Sequence, residues 1–210
     1  MIKVDIPVSE KELQARLAEL GLMTSNTKKA LVQATESHKT QMTKDGASYL
    51  TDHLCPVVNV FLEVVDEIES SKQEDAVVAA LLHDSLEDDP ALTSQMLSKT
   101  ISSRALLWVK CLTRQPEYHG ASDSRKLELT KEYMSELANR DKAVRLVKLS
   151  DRLVNLHLIL RIGVQRPERL QRYITETTEF FIPLAQKTSH QFVGSIQAQL
   201  AIMKKLLSTY

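Results

Sequence analysis

The segment AVVAALLHDSLEDD, residues 76–89, limits the possible folds more than any other part of the chain. Six apolar residues in a row, Val77 to Leu82, predict a helix buried nearly all round rather than on one face. The sequence then turns abruptly polar. His83 and Glu87 are four apart, as are Asp84 and Asp88, so on a continuous helix each pair stacks on one side and the two sides adjoin. Solvation of a helix end accounts for a charged terminus, but not for His-Asp abutting the apolar run.

A second segment, KAVRLVKLSDRLVNLHLIL, shows the same conflict. Lys148, Asp151, Arg152 and Asn155 form one narrow polar stripe on an otherwise apolar helix. Such a stripe faces solvent or lines a polar cavity, because a buried carboxylate without a partner costs several kcal/mol. Taken with the first helix, the cavity is the better reading: Asp151 supplies an anionic ligand for a metal held by His83 and Asp84. His53, in YLTDHLCPVV, is the natural further ligand. His38, His119, His157 and His190 have no comparable company.

The remaining chain predicts helices over 10–20, opened by a Ser9/Glu12 capping box, over 26–39 behind Ser25, and over 49–65 and 74–86, the last closed by Pro90. Further helices are expected over 92–99, 102–113, 124–138, 141–162, 167–185 and 187–208. The last either extends the bundle or pairs with a second subunit. Residues 40–48 read as a loop, and 114–123, with Pro116 and Gly120, as a lid or a connection. Scarce Gly and Pro among Ala, Leu, Lys and Glu agree with an all-α fold, here expected as one domain over 1–210.

Twenty-seven basic and 27 acidic residues cancel, so no global field recruits a nucleic-acid polymer or an anionic membrane. An anionic substrate then needs a local basic patch. Cys55 and Cys111 lie amid apolar residues and read as buried thiols. The N-terminus has no apolar signal core and no apolar run reaches the length of about 20 residues that spans a bilayer, so a cytoplasmic protein is expected.

His53, then HD at 83–84 followed by ED at 87–88, then LSDRLVNL with Asp151 and Asn155, resembles the HD hydrolase domain of the RelA/SpoT family. SHKTQMTKDGASY is similar to that family's AHxGQxRKSGEPY, LVKLSDRLVNL to its IKLADRLHNM, and RPERLQRYITETTEFFIPLAQ to its segment ending in ETLxIYAPLA. The resemblance covers roughly residues 28–187. It implies an HD-domain helical bundle with one divalent ion, usually Mn²⁺, on His53, His83, Asp84 and Asp151. It also implies that Glu87 and Asp88 handle the nucleophilic water, that Asn155 contacts the nucleotide, and that Lys44 and Arg114 lie near base and phosphates. Lys148 adds a further cation for the substrate. The implied reaction is release of 3′-pyrophosphate from guanosine alarmones by a stand-alone hydrolase, which a homo-oligomer could also form.

The departures bear on specificity. The family's Arg in RKSGEPY is Thr43 here, which removes a guanidinium that stacks on guanine, and Lys44 is not its equivalent. An adenosine alarmone or NADPH is therefore the alternative substrate, and a silent nucleotide-sensing module the alternative class. The stretch from Tyr49 to His53 is one residue longer than the family's YIxH, so a helix start or bulge must absorb it. Val154 and His157 replace a His and an Arg of the family pattern.

Overall fold

Ser9 and Glu12 cap each other reciprocally and start α1 (Glu10–Glu19) in the computed structural model, which describes residues 1–163 and 167–208. The family-like segment that begins at Arg166 therefore starts outside the described residues. α2 (Ser25–His38) is capped by Thr24, whose hydroxyl accepts the Thr27 amide; Ser25 is the first helical residue rather than the cap.

The stretch expected as one helix over 49–65 has three parts: a π-turn at Leu50–Leu54, α3 (Cys55–Leu62) and a 3-10 turn at Val65–Glu67. In the π-turn the Cys55 amide reaches back five residues to the Leu50 carbonyl. That wider turn takes up the extra residue between Tyr49 and His53.

α4 (Ser70–Leu81), α5 (Ser85–Asp88), α6 (Ser94–Leu97) and α7 (Ser103–Leu112) follow. The stretch 114–123 holds a single turn, α8 (Glu117–Gly120), before α9 (Asp123–Leu137) and α10 (Lys142–Gly163). The expected helix over 167–185 is α11 (Pro167–Glu176), a second π-turn at Thr177–Phe181 and α12 (Ile182–Thr188), and α13 (His190–Leu207) closes the fold. Among the described residues no strand forms; one isolated antiparallel bridge pairs Met42 with Ser48.

α10 is the axis. It packs against α3, α4, α7, α11, α12 and α13, and Leu146, Leu149, Leu153, Val154 and Leu156 are fully buried on it. Ala76 to Leu82 are likewise buried all round. Burying one such Leu stabilises by roughly 1.5–3 kcal/mol, so α10, which carries Asp151, and α4, which leads to His83 and Asp84, are firmly anchored. α13 extends the bundle: Phe192, Ile196, Leu200 and Met203 face the core, and Ser195 accepts the Ile2 amide at 2.8 Å. Cys55 is buried and Cys111 partly so, both as free thiols. Among the described residues no helix is long and apolar enough to cross a membrane.

Arg152 ties α10 to the second π-turn. Its guanidinium donates to the Thr177 hydroxyl (2.8 Å), the Glu176 carboxylate (3.3 Å) and the Tyr173 carbonyl (2.9 Å), between the rings of Tyr173 and Phe181. Arg152→Met leaves the buried Glu176 without its main partner and should lower the unfolding free energy by about 3 kcal/mol in urea titration. Adding Glu176→Leu should recover most of that loss. A neutral single variant would contradict the account.

Candidate metal centre and nucleotide cleft

The helix expected over 74–86 breaks where its chemistry begins. Leu82 leaves the helical region (φ −106°, ψ 10°), and the Ser85 amide turns back to the Leu82 carbonyl. His83 and Asp84 thus sit between α4 and α5, and the side-by-side stacking expected of a continuous helix does not apply. The break turns His83 inward. Its Nδ1–H donates to the Ala80 carbonyl at 2.8 Å, which fixes the tautomer and leaves Nε2 as the free donor atom.

Three elements then converge. His53 comes from the π-turn before α3, His83 and Asp84 from the break, and Asp151 from the middle of α10. Ligand atoms of His53, His83 and Asp151 lie within 4.8 Å of one another. Asp84 Oδ2 stands 3.1 Å from His83 Nε2 and 3.5 Å from His53 Nε2, and Asp151 Oδ1 is 3.6 Å from His53 Nε2. Both Nε2 atoms are buried without a hydrogen-bond partner. A buried polar atom left unpaired is costly, so two of them facing two carboxylates mark a place built for a cation. This set of two imidazoles and two carboxylates fits a divalent ion such as Mn²⁺, Fe²⁺ or Zn²⁺.

The surroundings orient these groups. Tyr49, stacked on His38 (4.8 Å) and tilted against His53 (4.7 Å), donates its hydroxyl to Asp84 Oδ2. Burial and the Asp84 charge push its phenol well above the ordinary range, so it stays a donor. Lys148, also buried, pairs with Asp151 Oδ2 at 2.9 Å, and Asn155 donates to Asp151 Oδ1. Burial opposes the Lys148 charge, but Asp151 overcomes this and raises its pKa. Burial, then the neighbouring Asp84, raises the Glu87 carboxyl against the pull of Lys148; Glu87 also accepts the Arg114 amide. Burial disfavours the His83 imidazolium, yet Asp84 and Asp151 hold its pKa at about 9.

Two cavities meet at the cluster. One, of about 230 Å³, is the more apolar of the two, with Met42, Leu158, Ile159 and Tyr173 beside Thr43, Lys44 and Asp45, and opens onto His53 and Asp84. The other, of about 360 Å³, is polar with a surplus of cations: Lys44, Arg114, Lys126, Lys148, Arg152, Arg169 and Arg172 line it with Asp84, Glu87, Asp151 and Glu176. Lys44, Asn155, Arg169 and Tyr173 belong to both. A neutral chain has thus concentrated positive charge in one cleft.

The structure brings His53, His83, Asp84 and Asp151 together and places Glu87, Lys44, Arg114, Lys148 and Asn155 around them. Asp88 is different: it is exposed, lines neither cavity and accepts the Gln41 side-chain amide at 2.8 Å. Sequence reasoning misses Tyr49 and Arg169. Tyr49 ends the loop motif and can be found there; Arg169, whose Nε is buried without a partner, carries no local signal on α11. His157 is structural, with its Nδ1–H on the Leu153 carbonyl and its Nε2 beside Gln199.

An all-α bundle that brings these His and Asp side chains together is the architecture of the HD domain, and residues 30–189 match that family. The chain belongs to the HD domain family. Within it, the chain is 29% identical over 195 residues to a guanosine-3′,5′-bis(diphosphate) 3′-pyrophosphohydrolase of Aquifex aeolicus, covering 91% of this chain and 25% of that protein. It is 28% identical to the protein of the same name in Haemophilus influenzae, over 73% of this chain and 21% of the relative. The chain therefore spans about a quarter of the length of these relatives. A solved structure described as a metazoan ortholog of SpoT that hydrolyzes ppGpp superposes with a TM-score of 0.67 at 19% identity, covering 85% of this chain and 95% of the other, which supports the fold.

Mn²⁺ should raise the melting temperature of the wild-type protein, EDTA should reverse the rise, and Asp151→Asn should abolish it. An unchanged rise would put the ion elsewhere. In the metal-free protein the His83 value near 9 lies above its ordinary 6.5. Its contribution to stability is thus full below pH 6.5 and lost as pH rises through 9. An ion must displace that same proton, so Mn²⁺ affinity measured by calorimetry should strengthen from pH 6.5 to 9. A flat profile would contradict the charge state.

Proposed function

We propose that the chain is a divalent-metal-dependent hydrolase that removes 3′-pyrophosphate from guanosine 3′,5′-bis(diphosphate)-type alarmones, as a single HD-type domain in the cytoplasm. The observation that carries this is the junction of an apolar slot and a cationic cleft at one His/Asp cluster. Such a junction suits a nucleoside with diphosphate groups better than a free phosphate or an apolar ligand. The relatives' names agree with it.

His53, His83, Asp84 and Asp151 would hold the ion, with Mn²⁺ the expected metal. The ion supplies Lewis acidity at the phosphoryl oxygen and lowers the pKa of water at the site. Glu87, with its raised pKa, accepts the proton of the attacking water from its place in the cationic cleft. Arg114 is held for the phosphates by the rings of Tyr118 and Tyr133, 4.2 and 5.3 Å from its guanidinium. Lys148 offsets charge at the reacting phosphate, and Asn155 and Lys44 span the two cavities to meet sugar and base. Asp88 assists from the rim.

Thr43 favours a second reading. Its hydroxyl donates to Asp45, which Arg161 also holds, so the slot wall carries a short polar group where the family has a guanidinium. An adenosine alarmone or NADPH would then be the substrate of the same site.

Purified protein with Mn²⁺ should release pyrophosphate from ppGpp and pppGpp, and Glu87→Gln should lower kcat by about 100-fold or more while keeping Mn²⁺ affinity. Release from ppApp alone, or phosphate from NADPH alone, would move the substrate to the second reading. Silence across all four with metal bound would overturn the proposal in favour of a nucleotide sensor.

A further inference from the structure

His38 lies outside the ion cluster, yet it is 1% exposed and hydrogen-bonded at both ring nitrogens. Its Nδ1 is 2.5 Å from Gln41 Oε1 and its Nε2 is 3.4 Å from the buried Ser85 hydroxyl. Gln41 Nε2 is 2.8 Å from Asp88 Oδ2. The direction of these bonds is determined by the last one. A carboxylate only accepts, so the Gln41 amide must present nitrogen to Asp88 and oxygen to His38. His38 must then carry its proton on Nδ1, and Nε2 accepts from Ser85. The chain runs Ser85 to His38 to Gln41 to Asp88 with a donor facing an acceptor at each link, and it begins and ends on α5.

We infer that His38 and Gln41 form a positioning pair that fixes the Asp88 carboxylate at the rim of the cleft. Asp88 is exposed and at the last residue of a one-turn helix, where nothing in α5 itself holds its side chain. The ring of His38 is clamped by its stack on Tyr49, the residue that also donates to Asp84. A parallel bond from the Ser37 hydroxyl to Asp89 (2.8 Å) fastens the same end of α5 to α2. Gln41 also lines the apolar slot, so one amide touches both the nucleoside side of the cleft and the carboxylate. Gln41 acts through Asp88 and is a positioning residue.

This inference rests on the hydrolase reading for its kinetic test but has a readout of its own. Long-range ¹H–¹⁵N spectra of the metal-free protein should show His38 as the Nδ1–H tautomer, with a signal that shifts in Asp88→Asn and becomes exchange-broadened in Gln41→Met. An Nε2–H tautomer, or a signal indifferent to both changes, would overturn the inference whatever the enzyme does. In turnover, Gln41→Met should lower kcat by about tenfold with Mn²⁺ affinity and Tm unchanged, and should lower kcat no further in an Asp88→Asn background. Full activity of Gln41→Met beside a slow Asp88→Asn would overturn the inference and leave the hydrolase reading intact. Full activity of Asp88→Asn would remove Asp88 and its positioning pair from the reaction, while an inactive Asp151→Asn would still support hydrolysis.

Discussion

The pairing of Lys148 with Asp151 inside α10 is the interaction on which the rest of the site depends. A carboxylate in the middle of a helix that packs against six others is tenable only with a cation beside it, and a lysine one turn earlier supplies that cation at 2.9 Å. Lys148 uses one oxygen of Asp151, while the other stands 3.6 Å from the His53 imidazole. The axis of the fold can therefore carry an anionic ligand at full depth, and the short elements around it need only bring their side chains to that point.

Those elements are irregular where they meet it. His53 sits on a π-turn, His83 and Asp84 sit in a helix break, and Glu176 and Thr177, which hold Arg152, sit at the start of a second π-turn. Regular helices present side chains at fixed angular intervals, and a cluster drawn from three helices asks for intervals they do not offer. Local departures supply them, and packing of α3, α4 and α10 holds the departures in place.

The all-α architecture and the four clustered His and Asp residues were legible because their signal is a contradiction: ionisable groups set against uninterrupted apolar runs. The extra residue before His53 called for a helix start or a bulge to absorb it, and a π-turn does so. What stayed hidden was non-local. Nothing near Leu82 in the sequence marks a helix break, because apolar periodicity runs on through it. Arg169 reaches the cleft from α11 over a long separation in sequence, and the Ser85–His38–Gln41–Asp88 chain joins residues about 50 positions apart. The four-apart pairing of Asp84 with Asp88 misled for the same reason, since it presumed a helix that the fold interrupts.

An inserted residue would ordinarily rotate everything after it by about 100° around a helix and carry His53 away from the cluster. The π-turn stores the insertion in the backbone ladder instead, and the Tyr49 and His53 rings remain 4.7 Å apart. The slot wall at Thr43 and Asp45 is thereby decoupled from the placement of His53. Thr43 and Asp45 can depart from the family pattern and reshape what the slot admits while His53 keeps its place.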